Sequence, residues 1–404
     1  MVPAAFLFLD RWPLTPSDKI DYRALPAPAE AQTVSSAAAV VPRDRWELWL
    51  AQQWSDLLGR PGVDLDDNFF ALGGHSLLAM RLMAAIQQQL GRSLPIAALL
   101  QAPTIRQLAA VLRQESGPEP WSPLVPLQPH GDRPPLFLIH PIGGTVFCYS
   151  DLVRQLDAEQ PVYGLQARGV DGDDRPHNSI AAMAAEYVSA IRAQQARGPY
   201  LLGGWSLGGV VAFEIAQQLR RQGDQVPLLA LIDSSPPINE DRQPEPARLV
   251  AAFVQDLAGL QGRRWMIEPG ELDAVPADER PSYILSRARQ QQLLPADISP
   301  AQIDRLIEVF RAHLVALHAY VPATWEERAA VLEARPDPDI QPRHTDAWRS
   351  WIDQLEVSQV AGDHYSLLRA PQVAAVAAWL QQQLALAQER SADVDEAASA
   401  AQHS

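Results

Sequence analysis

The stretch Leu201-Leu-Gly-Gly-Trp-Ser-Leu-Gly-Gly-Val-Val-Ala-Phe-Glu-Ile-Ala216 carries the signals that decide the fold. An apolar run suited to a buried strand leads into Gly203-Gly-Trp-Ser-Leu-Gly-Gly209, and helical spacing follows from Val210 to Gln222. Gly204 and Gly208 allow a cramped turn that pushes the Ser206 hydroxyl into the open. The amide of Leu207, at the start of the helix, is then available to stabilise an oxyanion. Strand, turn and helix in this order are the context that makes a Gly-x-Ser-x-Gly match specific.

Working outward, short apolar runs alternate with longer helical stretches. Strands are expected at Leu136 to His140, Val162 to Gln166, Tyr200 to Gly203, Leu228 to Asp233, Ala330 to Ala334 and Glu356 to Val360. Such continuous apolar runs mark a parallel sheet covered on both faces. Nearly a hundred residues separate Asp233 from Ala330, with helical periodicity and no convincing strand. An insertion that long usually has a function, and here it reads as a lid.

A serine nucleophile needs a base, and the base needs an orienting carboxylate. Of nine histidines, His364 follows the last apolar strand, in Val360-Ala-Gly-Asp-His-Tyr-Ser-Leu-Leu368, where a hydrolase sheet places its base. His313 and His318 fall in the lid, where their expected reach is the substrate at most. Asp233 ends a strand, but Asp337 and Asp339 follow the next one, and spacing alone leaves the acid open among them. Asp363 adjoins His364, and sequence neighbours point apart. A second oxyanion amide is expected from His140-Pro-Ile-Gly-Gly144, at Ile142, with His140 shaping that loop.

Upstream, residues 43–114 read as all helix. Apolar residues recur at helical spacing over Arg45 to Leu58, Ser76 to Leu90 and Thr104 to Leu112. Between the first two lies Asp67-Asn-Phe-Phe-Ala-Leu-Gly-Gly-His-Ser-Leu-Leu-Ala79, where Gly73 and Gly74 turn the chain just before a helix that opens on Ser76. A helix start favours a phosphate anion, although serine there is also an ordinary cap. Proline-rich stretches flank this bundle.

Composition narrows the function classes. The chain has 404 residues, 47% of them hydrophobic, which is enough for two or three domains with real cores. A net charge of −15 disfavours nucleic acid and anionic membranes as partners, and no apolar run reaches bilayer length. Val2 to Leu9 lacks the basic flank and cleavage site of a signal peptide. Cys148 is the only cysteine, so intrachain disulfides are impossible and a cytoplasmic setting is expected. It reads as a small buried apolar residue rather than a nucleophile. No metal site is expected. Lys19 is the only lysine.

Taken together, these motifs resemble the termination region of a non-ribosomal peptide synthetase. The Gly-Gly-His-Ser signature resembles that of peptidyl carrier domains, which implies 4′-phosphopantetheine on Ser76 and a phosphopantetheinyl transferase as partner. Residues 134–385 resemble type I thioesterases, in which the acid follows the earlier strand, and this favours Asp233 over its rivals. Leu14-Thr-Pro-Ser-Asp-Lys-Ile-Asp-Tyr-Arg-Ala-Leu-Pro26 resembles the closing motif of adenylation domains, where Lys19 would contact substrate. Asp18 and Tyr22 depart from that motif, and without the adenylating body Lys19 is inactive alone.

The resemblance implies a multidomain chain, with a small all-α helical bundle followed by an α/β-hydrolase fold with a helical lid insertion. Its expected parts are an adenylation remnant (1–28), a linker (29–42), the carrier (43–114), a second linker (115–133), the thioesterase (134–387, lid about 237–325) and a disordered tail (388–404). The implied catalytic set is Ser206, His364 and Asp233, with an oxyanion hole at Ile142 and Leu207. The implied substrate is a peptidyl thioester made by upstream condensation and adenylation domains of an antibiotic or siderophore pathway. Release by hydrolysis and release by macrocyclisation stay open, because both use the same residues. An editing thioesterase and a remnant that only carries or docks are the alternative roles.

Overall fold

A computed structural model describes residues 42, 44–114, 121–171, 174–237, 245–268, 270–294, 298–335 and 345–402. The chain divides into two compact units, 1–43 and 44–404, and every element described here belongs to the second. The adenylation-like motif and Lys19 lie outside the described residues, as do Asp337 and Asp339.

Four helices build the N-terminal bundle: α1 (Arg45–Leu58), α2 (Ser76–Leu90), the short α3 (Ala98–Gln101) and α4 (Ile105–Arg113). Asp44 caps α1 by accepting from the amides of Trp46 and Glu47, and Gly59 ends it in the left-handed region at φ 62°. Thr104 and Gln107 form a reciprocal capping box at the start of α4. The apolar stripes meet at Leu50, Trp54, Phe69, Leu82, Ile86, Ile105 and Leu108, all fully buried.

Seven strands form one sheet: β1 (Leu124–Gln128), β2 (Leu136–Ile139), β3 (Val162–Leu165), β4 (Leu201–Trp205), β5 (Leu228–Ile232), β6 (Trp325–Arg335) and β7 (Ile352–Ala361). Their order is β1-β3-β2-β4-β5-β6-β7. Every neighbouring pair is parallel except β1 with β3. The six strands expected from the apolar runs are all present, and β6 and β7 extend further than those runs suggested.

Strand β1 was not expected, because it falls in the proline-rich stretch read as linker 115–133. It is an antiparallel edge strand containing Pro126, and a residue without an amide is tolerated at an edge. The tail also differs from expectation. Helices α5 (Ser150–Val153), α6 (Ile180–Gln194) and α7 (Leu207–Arg221) precede the lid, and the final helix runs from Val373 to Gln402. Residues 388–402 of the segment expected to be disordered are therefore helical, in keeping with their alanine content, since alanine is the strongest helix former.

Alternation along each central strand sends side chains to opposite faces. Phe137, Ile139, Leu229 and Leu231 pack with α6 and α7. Leu136, Leu138, Leu228 and Ile232 pack with α5 and the final helix. Fully burying one such leucine stabilises the fold by about 1.5–3 kcal/mol, so both faces hold the strand ends in fixed register. Between β5 and β6, in the insertion expected to act as a lid, stand helices α8 (Pro246–Leu260), α9 (Arg280–Gln290) and α10 (Pro300–Ala319), with their own core at Phe253, Val254, Ile284 and Phe310. The final helix, α11 (Val373–Gln402), follows β7.

Candidate active site

The site lies where β4, β5 and β7 end. Ser206 joins β4 to α7 with φ 59° and ψ −126°, a conformation that non-glycine residues adopt only when the surroundings enforce it. A Cβ at Gly204 would stand 2.2 Å from the Gly208 backbone, and one at Gly208 would stand 2.2 Å from the Ile139 carbonyl oxygen. Only glycine fits either position, so the two glycines read from the sequence are what close the turn.

His364 follows β7. Its Nε2 is 3.1 Å from the Ser206 hydroxyl oxygen and its Nδ1 is 2.6 Å from Asp233 Oδ2. Asp233 turns at the end of β5 with φ 41° and is only 1% exposed. Its second carboxylate oxygen accepts from the Ala334 amide at 2.9 Å. A carboxylate held from both sides this way fixes the imidazole tautomer, with Nε2 as the acceptor that faces the serine hydroxyl. The Trp205 ring lies 4.6 Å from the His364 ring and covers it. Asp363 points elsewhere, accepting from the amides of Tyr365 and Ser366.

The loop after β2 approaches the same point. His140 is fully buried, and its Nδ1 donates to the Pro141 carbonyl oxygen at 2.7 Å. The Tyr187 hydroxyl stands 2.7 Å from its Nε2. Burial, with His313 beside it, lowers the His140 imidazole to about 3, so the ring is neutral. His313 was expected to touch substrate at most. Instead it is buried, and its Nδ1 donates to the Ile142 carbonyl oxygen at 2.7 Å. His318 is half-buried on the same helix. Cys148 packs against the core, and burial raises its thiol well above the ordinary range, which removes it as a nucleophile.

One residue of the site left no trace in the sequence. The buried Tyr149 hydroxyl donates to the Ile139 carbonyl oxygen at 2.6 Å and accepts from the Trp205 amide at 2.8 Å. It ties the end of β2, where the loop His140 to Gly144 begins, to the end of β4, where the serine turn begins.

Ser76 is the first residue of α2, and His75, which precedes it, makes no side-chain bond to the helix amides. The loop before it is tightly built. Asn68 accepts from the amides of Phe70 and Ala71, and a Cβ at Gly74 would stand 2.2 Å from the Phe69 ring. Leu77, next to Ser76, is 1% exposed and packs among residues of α8, α9 and α10 rather than in the bundle core. Phe70 meets Phe147 with ring centres 5.5 Å apart, and the Ile96 amide donates to Asp171 at 2.8 Å.

Known proteins agree with this division. Residues 134–384 match the thioesterase domain family, and residues 48–112 match the phosphopantetheine attachment site. The chain is 36% identical over 382 residues to a dimodular nonribosomal peptide synthase of Bacillus subtilis, covering 93% of this chain and 15% of that protein. It is 35% identical over 361 residues to enterobactin synthase component F of Escherichia coli, covering 83% of this chain and 28% of that protein. A solved four-domain nonribosomal peptide synthetase, bound to AMP and glycine, superposes with a TM-score of 0.62 at 33% identity, covering 95% of this chain and 29% of that one. The chain thus spans less than a third of each of these relatives. Among the described residues, no helix is long and apolar enough to cross a membrane. The chain belongs to the thioesterase domain family, with a phosphopantetheine attachment domain joined ahead of the hydrolase.

Proposed function

We propose that this chain is the releasing carrier–thioesterase of a non-ribosomal peptide synthetase. The observation that carries the reading is the relay from Asp233 through His364 to Ser206, set on a serine turn that only glycines can close. The carrier spans 43–114 and the thioesterase 134–387, with the lid at about 237–325.

Ser76 is the attachment point of 4′-phosphopantetheine. Its position fits a phosphate: it opens a 15-residue helix whose first amides have no side-chain cap. When bound, that group supplies a flexible thiol that carries the peptide as a thioester. Leu77 buried among lid residues puts the bearing helix against the thioesterase, as delivery to Ser206 requires. A phosphopantetheinyl transferase installs the group, and upstream condensation and adenylation domains supply the peptide. The setting is cytoplasmic.

The chemistry follows from the side chains. His364 Nε2 takes the Ser206 proton while the serine oxygen attacks the thioester carbonyl. The amides of Leu207 and Ile142 stabilise the oxyanion. His364 would then give that proton to the departing sulfur, and the acyl group would remain as an ester on Ser206. Water, or a nucleophile within the bound chain, then repeats the cycle and restores the serine. Asp233 holds the ring and stabilises its cation throughout.

Two variants separate the stations. Ser206→Ala should load normally on the carrier and release nothing. Ser76→Ala should refuse loading yet hydrolyse small soluble thioesters at the wild-type rate. Rapid release by the first variant, or loss of hydrolysis in the second, would overturn the assignment. An editing enzyme would instead prefer small, wrongly loaded acyl groups to the peptide.

A further inference from the structure

We propose that His140 and His313 are positioning residues that aim the oxyanion amide of Ile142 and fix the loop bearing it. The inference rests on the oxyanion reading given above, and it goes beyond the three side chains of the relay.

The Pro141–Ile142 peptide presents its carbonyl on one side and, being trans, its N–H on the other. Two donors hold that carbonyl: His140 Nδ1 at 2.7 Å and the Gly144 amide at 2.9 Å. With both lone pairs of the Pro141 oxygen engaged, the peptide plane cannot rotate, and the Ile142 N–H stays aimed away from them. The next carbonyl, that of Ile142, is held by His313 Nδ1 at 2.7 Å. The two imidazoles stack at 4.9 Å with 20° between their planes. Consecutive carbonyls of one loop are thus clamped by a pair of stacked rings, one from the loop itself and one from lid helix α10.

Carbonyl oxygens can only accept, so both histidines must carry their proton on Nδ1. His140 then accepts from the Tyr187 hydroxyl at Nε2, which locks its ring. His313 Nε2 is buried with no partner among the described residues. A leucine at that position would remove this orphan and instead leave the Ile142 carbonyl without its donor, so the two changes in stability oppose one another. What it supplies is the donor to the Ile142 carbonyl. Donation to the Pro141 carbonyl does a second thing: it polarises that peptide and makes its N–H a stronger donor to a developing oxyanion. The lid is coupled to this loop as well, since Val309 of α10 lies within 3.0 Å of where a Gly144 Cβ would stand.

The test compares His140→Leu and His313→Leu, which keep bulk and lose the donor, with His140→Asn and His313→Asn, whose amide nitrogen can occupy the place of Nδ1. Small soluble thioesters are the substrate, and a trifluoromethyl ketone, which forms an oxyanion on the serine, is the probe. Removing a whole oxyanion donor costs about 10²–10³ in kcat, so mis-aiming one should lower kcat roughly 10- to 100-fold. KM should hold, ketone affinity should fall in step with kcat, and each asparagine variant should recover most of the loss. His313→Leu exchanges one buried group without a partner for another and should therefore still fold, so it decides the matter even if His140→Leu does not. Leucine variants with wild-type kcat, or asparagine variants no better than leucine ones, would overturn the proposal. Turnover by Ser206→Ala would instead overturn the serine reading on which it rests.

Discussion

Replacing Tyr149 with phenylalanine removes one oxygen atom and two hydrogen bonds. The hydroxyl is fully buried and bridges the Ile139 carbonyl and the Trp205 amide at 2.6 and 2.8 Å. An amide left without an acceptor in a dry site costs about 1–3 kcal/mol, and loss of the second bond adds roughly 0.5–1.5 kcal/mol. The sum is about 2–4 kcal/mol, since the ring itself still fills its place. For a domain of this size each kcal/mol moves the midpoint by about 2–4 °C, so the thioesterase transition should fall by roughly 5–15 °C. Activity at low temperature should fall too, because the serine turn and the oxyanion loop lose their common tie. Calorimetry together with kcat on a small thioester measures both. A Tyr149→Phe protein that melts with the wild type would refute the strut, and one that melts lower but keeps full kcat would refute its link to the site.

Two further outcomes follow from the same geometry. Burial lowers His140 from 6.5 to about 3 and His313 from 6.5 to about 4. Below 6.5 the unfolded chain takes up protons that these rings refuse, so stability is complete above that pH and falls as the pH drops toward 4. Each ring contributes a slope of up to about 1.4 kcal/mol per pH unit. Denaturant midpoints at pH 7.5 and 5 should therefore differ less in His313→Leu than in wild type, and equal differences would count against the neutral pair. Leu77→Glu would bury a charge among the lid residues, which is costly enough to expel the carrier helix. Transfer from the loaded carrier should slow markedly while soluble thioesters are hydrolysed as before, and unchanged transfer would mean that Leu77 is not a docking contact.

The extent to which the sequence revealed this architecture depends on how local each signal is. Helices α1 and α2 begin and end where their apolar spacing does, because the spacing and the glycine stop, with the Asp44 cap for α1, lie within one short stretch. The central strands are legible because they are buried on both faces and so apolar throughout. Strand β1 was hidden by its proline, a residue that signals linker unless the strand is known to lie at an edge. Choosing among acids was beyond spacing, since Asp233 meets His364 across 131 positions. Tyr149 was beyond any local reading, because its partners are main-chain groups on two different strands. His313 looked like a lid side chain facing substrate, and only the folded loop shows that it turns toward the Ile142 carbonyl.

The most direct measurement is rapid-quench mass spectrometry of the full chain, loaded on its carrier with a peptidyl pantetheine and digested after each time point. The account expects the acyl mass to leave the Ser76 peptide, appear transiently on the Ser206 peptide and then depart with the product. A product with the mass of the free acid marks hydrolysis, and one lighter by a water marks cyclisation. Product release with no acyl group ever found on Ser206, or at an undiminished rate in Ser206→Ala, would contradict it.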